Sequence, residues 1–146
     1  MKIYLDICAI QRPLDTQNQV RIILESEAVL GIISLCNAGQ IELLSSEVLA
    51  YEVAQNLLAI RREHSNAVLS KARDFIHVTE KVQHRAESLM KYGIKPLDAL
   101  HIASAESGNA DYFCTCDDRL LRNANQIDDL LVKVLNPVEL VQEIEK

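Results

Sequence analysis

Short apolar runs alternate with longer amphipathic ones along the whole chain. Residues 2–6 (KIYLD), 41–44 (IELL), 75–79 (FIHVT), 111–115 (DYFCT) and 131–135 (LVKVL) are brief, rich in apolar residues and bounded by polar or turn residues, as buried strands are. The stretches between them carry helical signals. Thr16 and Gln19 form a capping-box pattern opening a helix to about Cys36, with Val20, Ile23, Leu24, Val29, Leu30 and Ile33 at helical spacing and Asn37-Ala-Gly39 as its stop. Ser45 is placed to cap a helix through about Arg62, followed by a second helical segment over about 64–74. EKVQHRAESLMKYG closes on Gly93, Pro96 suits the first turn of a helix ending near Gly108, and Thr115 with Asp118 caps the short run DDRLLRNA. Asn136-Pro137 with Glu139 opens the last helix, VELVQEIEK. Strands that alternate with helices throughout predict an α/β domain with a mainly parallel sheet and right-handed crossovers.

Four acidic residues interrupt this pattern at informative places. Asp6 ends the first strand, and Asp117 follows the fourth. Ligands of parallel sheets bind at this carboxyl edge. Glu52 lies mid-helix beside the apolar Val48 and Leu49, whereas Glu47 lies in the first turn, where a carboxylate simply complements the helix dipole. Glu52 is therefore the preferred candidate. Asp98 lies two residues after Pro96 and precedes ALHIASA, whose small and apolar residues predict tight packing near the core. Carboxylates gathered in one place repel each other unless a cation offsets the repulsion, so this set points to a Mg²⁺ or Mn²⁺ site for phosphodiester chemistry. His101, three residues after Asp98, has a spacing that also suits a transition metal; the reading adopted is a packed, hydrogen-bonded histidine that orients the site. Asp118 is assigned to the helix cap and Asp117 to the site.

The 146 residues suit one domain, 1–146, and 49% hydrophobic content supplies a sizeable core. The start, MKIYLDICAI, is too short and too acidic for a signal peptide, and no apolar run approaches the ~20 residues of a membrane span. A soluble, cytoplasmic protein is expected. Cys114 and Cys116 form C-x-C inside a strand run, and the zinc and redox spacings are absent, so Cys8, Cys36, Cys114 and Cys116 read as reduced, small core thiols. A net charge of −6 argues against a general nucleic-acid coat, yet a bound divalent cation inverts the local field. A phosphate cradle of the P-loop or G-x-G-x-x-G kind is absent, as are the D-x-D of a haloacid-dehalogenase site and the acid pattern of a receiver domain.

The order LD at 5–6, a helical Glu52, P-x-DALHIASA at 96–105 and TCDDRLL at 115–121 resembles PIN-domain proteins, most closely the bacterial VapC-like toxin ribonucleases. The resemblance covers essentially the whole chain. It implies a Rossmann-like three-layer α/β/α fold with a central five-stranded parallel sheet. It also implies a Mg²⁺- or Mn²⁺-dependent endoribonuclease, often a homodimer inhibited by a small antitoxin. Asp6, Glu52, Asp98 and Asp117 match the acidic quartet of that family by position. Many members carry Asn, Ser or Thr one or two residues after the first Asp; this chain has Ile7-Cys8.

Arg12, Arg21, Arg119 and Arg122 are the candidates for substrate phosphate contacts, and Arg21 also has i, i+4 spacing to Glu25. Two other readings compete. One is a catalytically silent PIN-like module that binds RNA or a protein partner. The other is a small metal-dependent phosphatase or DNA nuclease on a similar sheet. Leu57, Leu58, Ile60, Val68 and Leu69 exceed what one sheet face needs, and they predict association through helix surface, either as a homodimer or against an antitoxin peptide.

Overall fold

A computed structural model describes residues 1–146. Five parallel strands form one sheet in the order β3-β2-β1-β4-β5, with β1 (Lys2–Leu5) central, β2 (Glu42–Ser46) and β3 (Asp74–Ile76) on one side and β4 (Tyr112–Cys114) and β5 (Lys133–Leu135) on the other. Register is set by pairs such as Ile3 with Leu43 and Tyr4 with Phe113. Ile3, Tyr4 and Leu5 are fully buried, as a strand covered on both faces requires. Helices flank the sheet to give the three-layer α/β/α arrangement. On the connections, α5 (Glu80–Met90) packs on α6 (Pro96–Ser107), and α6 packs on β2 and β3. Elsewhere α2 (Val20–Asn37) packs on α8 (Pro137–Ile144), and α8 on β4. No helix is long and apolar enough to cross a membrane.

Two glycines have a visible physical reason. Gly93, at φ +83, turns the chain out of α5 in a conformation that side chains other than glycine's adopt rarely. Gly108 ends α6 where it meets the sheet, and a Cβ there would lie 2.8 Å from Ile76 Cδ1 and 2.9 Å from Leu44 Cδ1. Its absence lets helix and sheet pack closely.

Three local expectations differ from the structure. The Thr16–Gln19 capping box does not form: α2 starts at Val20, with no side-chain cap from Gln19. Thr16 stays in the preceding loop, where its carbonyl accepts from Asn18 N–H at 2.9 Å. The helix expected over 45–62 is two helices, α3 (Glu47–Gln55) and α4 (Ala59–Leu69), with Ser46 rather than Ser45 as the cap. Asn56 breaks it. Its Oδ1 accepts from Leu58 N–H at 3.1 Å, and its Nδ2 donates to Gln11 Oε1 at 3.2 Å, a partner 45 residues away. On α2, Val29 is buried as expected, but Val20, Ile23, Leu24 and Leu30 face solvent, while Glu25, Ser26 and Ile32 take the inner face. By contrast, the Asn136–Glu139 capping box forms in full and starts α8.

Candidate functional site

The central strand runs directly into the first candidate. Asp6 leaves β1, caps the short helix α1 (Ile7–Ile10) through Ile7 N–H, and is buried. Neighbouring strands β1 and β4 send their connections to opposite sides of the sheet here, which opens the crevice where open α/β sheets bind ligands. Residues leaving β4 face Asp6 across it. Thr115 Oγ1 donates to Asp6 Oδ2 at 2.9 Å and accepts from Asp117 N–H at 3.2 Å, so one hydroxyl ties two candidate acids together. Cys8 Sγ lies 3.4 Å from the same Asp6 oxygen and 3.3 Å from Thr115 Oγ1. At Ile7-Cys8, then, the Asp6 carboxylate finds its polar contacts in the Cys8 thiol and in Thr115, just after the neighbouring strand. Thr115 was read from sequence only as a helix cap, and nothing local could show its partner 109 residues away.

The cap of α7 (Asp118–Ala124) is Asp117, not Thr115 with Asp118. Asp117 Oδ1 accepts from Arg119 and Leu120 N–H at 2.9 and 3.2 Å. Asp118 instead pairs with Arg21 at 2.7 Å. Glu52 is half-buried on α3, and its Oε1 meets His101 Nε2 at 2.7 Å. Ligand atoms of Asp6, Glu52 and His101 lie within 4.8 Å of one another. Glu47, the rival, points elsewhere, accepting from His77 Nδ1 and Val78 N–H at 2.9 and 3.0 Å. Asp98 lies half-buried in the first turn of α6 and lines a small hollow with Asp117, Lys95 and Arg119.

Electrostatics shows that these groups share one field. Burial first, then the charge of Asp6, and further those of Asp117 and Glu52, push the Asp98 carboxyl up to about 6. Burial likewise raises Asp6, with the charge of Glu52 adding to it. The ordinary value for Asp98 is 3.8, so the folded chain takes up a proton between that value and about 6. The unfolded chain binds fewer protons in that window, so the metal-free protein loses stability as pH rises through it. Asp98→Asn is expected to flatten this slope and raise the metal-free melting temperature at pH 7. Thermal melts from pH 4 to 7.5 check it; a variant that tracks the parent over the whole range would mean that Asp98 does not feel its neighbours.

The four candidate arginines divide. Arg12 is engaged by Glu25 at 2.6 Å and Asp15 at 3.2 Å. Arg21 binds Asp118, Glu25 (the expected i, i+4 pair) and Cys116 O at 2.9 Å. Arg21 braces the loop after β4, whereas Arg12 ties the turn before α2 to Glu25. Arg119 and Arg122 are exposed and belong to no ion pair, and Arg119 borders the hollow at Asp98 and Asp117. Lys95, which sequence reading passed over, lines the same hollow.

A parallel sheet with clustered acids at the carboxyl edge of its central strands defines a class, and the comparisons place the chain in it. A family model described as the PIN domain matches residues 3–126, so the chain belongs to the PIN domain family. Among solved structures, the crystal structure of VapBC2 from Rickettsia felis bound to a DNA fragment from their promoter has a similar fold, with TM-score 0.61 and 16% identity over 93% of this chain and 98% of the matched one. No curated protein sequence matches.

Proposed function

We propose that this chain is a Mg²⁺- or Mn²⁺-dependent endoribonuclease and the toxin of a toxin–antitoxin pair. The observation that carries the reading is the gathering of Asp6 and Glu52, whose ligand atoms lie within 4.8 Å of each other, with Asp98 near enough that their charges add to burial in raising its carboxyl. Such mutual repulsion is what a bound cation relieves. The donor set fits a hard cation, since every candidate ligand atom on the four acids is a carboxylate oxygen. Asp6, Glu52 and Asp98 would hold it, with Asp117 contributing through Oδ2 because Oδ1 caps α7. A divalent cation supplies nucleophile activation and neutralises charge building on the phosphate during in-line displacement.

The residues around it have separable tasks. Thr115 keeps Asp6 and the Asp117 backbone in register. Below about pH 6 Asp98 has to lose its proton to accept the cation, so cation binding weakens as pH falls through that value. Arg119 and Lys95, at the hollow's rim, meet the substrate phosphates, and Arg122 extends this basic edge along α7. Around the α3–α4 break, Leu57 is 94% exposed and is joined by exposed Tyr51, Leu58 and Ile60, whereas Val68 is buried and Leu69 half-buried against the core, so neither belongs to this surface. Here a second copy or an antitoxin peptide docks; similarity to the VapC-like toxins and the likeness of fold to VapBC2 support an antitoxin.

Labelled single-stranded RNA and DNA incubated with the protein, with and without millimolar Mn²⁺, test the reading. Metal-dependent RNA cleavage and a rise in melting temperature with Mn²⁺ are expected. A metal-induced rise without cleavage of either polymer would instead favour a silent binding module, and DNA-only cleavage a DNA nuclease. Light scattering at high micromolar concentration is expected to show a dimer; a monomer leaves this surface to a protein partner.

A further inference from the structure

A hydrogen-bond chain in the core ends on Glu52. Leu49 N–H donates to Ser46 Oγ at 3.0 Å, Ser46 Oγ meets Tyr4 Oη at 2.7 Å, Tyr4 Oη meets His101 Nδ1 at 2.7 Å, and His101 Nε2 meets Glu52 Oε1 at 2.7 Å. Ser46, Tyr4 and His101 are all fully buried, and the Tyr4 ring also meets His101 edge-on, with centroids 5.7 Å apart. The chain joins α3, β2, β1 and α6, so four elements converge on one carboxylate oxygen.

Its ends give it a direction. The Leu49 N–H can only donate, and an ionised Glu52 can only accept. A donor is therefore required at His101 Nε2. Were Nδ1 protonated as well, Tyr4 would donate to Ser46, and the buried Ser46 hydroxyl, which already accepts from Leu49 N–H, would have no acceptor; Nδ1 therefore accepts from Tyr4, and the Tyr4 oxygen accepts from Ser46. Every member is then satisfied.

We propose that His101 is a positioning residue for Glu52: a neutral Nε2–H tautomer, set by Tyr4 and Ser46, that grips Oε1 and leaves Oε2 for the cation. The role rests on the metal-site reading above. The rival is that His101 is itself a ligand, as its closeness to Asp6 and Glu52 allows. Ligation at Nε2 would require removing the Nε2 proton and leave Glu52 without its donor. Histidines that contact metals usually donate the N–H of the other ring nitrogen to a carboxylate, a backbone carbonyl or water; here Nδ1 meets the Tyr4 hydroxyl and Nε2 is already engaged by Glu52.

NMR of the ¹⁵N-labelled full chain reads the ring directly. One protonated nitrogen (Nε2) and one acceptor nitrogen (Nδ1) are expected, with the Nε2 proton retained when Mg²⁺ is added to saturation. Binding of Mn²⁺ is measured beside it. His101→Gln, which keeps a donor towards Glu52, should hold affinity within about 3-fold, whereas His101→Leu should lose roughly 10- to 100-fold. Tyr4→Phe should shift the ring towards the Nδ1–H tautomer and weaken Mn²⁺ by about 10-fold. Circular dichroism confirms that each variant is folded; if His101→Leu is not, the Gln and Phe variants and the tautomer still decide. Loss of the Nε2 proton on adding Mg²⁺, protonation of both nitrogens, or a Gln variant as impaired as the Leu variant overturns the proposal. Failure of the metal-site reading looks different: no response to either cation. That result removes the aiming of a ligand, while the same spectra still decide the tautomer.

Discussion

Glu52→Gln is expected to reduce metal-dependent RNA cleavage by at least about 100-fold, while Glu47→Gln keeps it within about 3-fold. The two residues share α3 and differ in what their carboxylates meet. Glu52 reaches the buried His101 and lies beside Asp6. Glu47 is nearly half exposed and holds the chain after β3 through His77 and Val78, contacts that keep its carboxyl below the usual range. The amide at 52 still accepts from His101 Nε2–H, so the fold survives and the deficit belongs to the lost charge. Initial rates with an Mn²⁺ titration for each variant check this. The opposite ranking would move the ligand to the first turn of the helix.

The largest stability effect is expected from Glu25→Ala. Glu25 is buried on α2, where its Oε1 accepts from Arg12 Nη2 at 2.6 Å and Nε at 3.0 Å and from Arg21 Nε at 3.3 Å. Removing it leaves the Arg12 guanidinium mostly buried, with Asp15 as its remaining carboxylate partner. Breaking a buried pair from one side costs about 3 kcal/mol, a fall in melting temperature on the order of 10 °C for a domain of this size. Arg12→Met with Glu25→Leu should recover most of the loss, because an apolar pair of similar volume leaves no orphaned charge. Thermal unfolding of the single and double variants decides it; a single-variant cost below about 1 kcal/mol would mean that water compensates Arg12. Damage should also reach the site, since Arg21 leans on Glu25 while holding Cys116 O, one residue after Thr115.

Short apolar runs bounded by polar residues specify strands by themselves, because burial on both sheet faces demands continuous apolar sequence. The order of strands and helices was thus legible, as was the one capping box whose two partners meet only each other. The Asn136–Glu139 box formed for that reason. Asp6 and Asp117 were placed at the sheet edge by their position after strands, and Pro96 fixed the turn that carries Asp98.

Long-range partners decided the remainder. Thr115 does not cap α7, because Asp117 takes that place; its hydroxyl instead links the Asp6 carboxylate to the Asp117 N–H. Asn56 ends α3 because Gln11 anchors its side chain, so a helix that looked continuous along the chain is broken. An acid at Glu25 was acceptable inside because two arginines meet it there, while apolar neighbours on the same helix were left outside. Sequence alone determined which acids stood at the carboxyl ends of strands or in a first helical turn. Tertiary structure decided how each is held, since a carboxylate's orientation and proton affinity depend on groups tens of residues away.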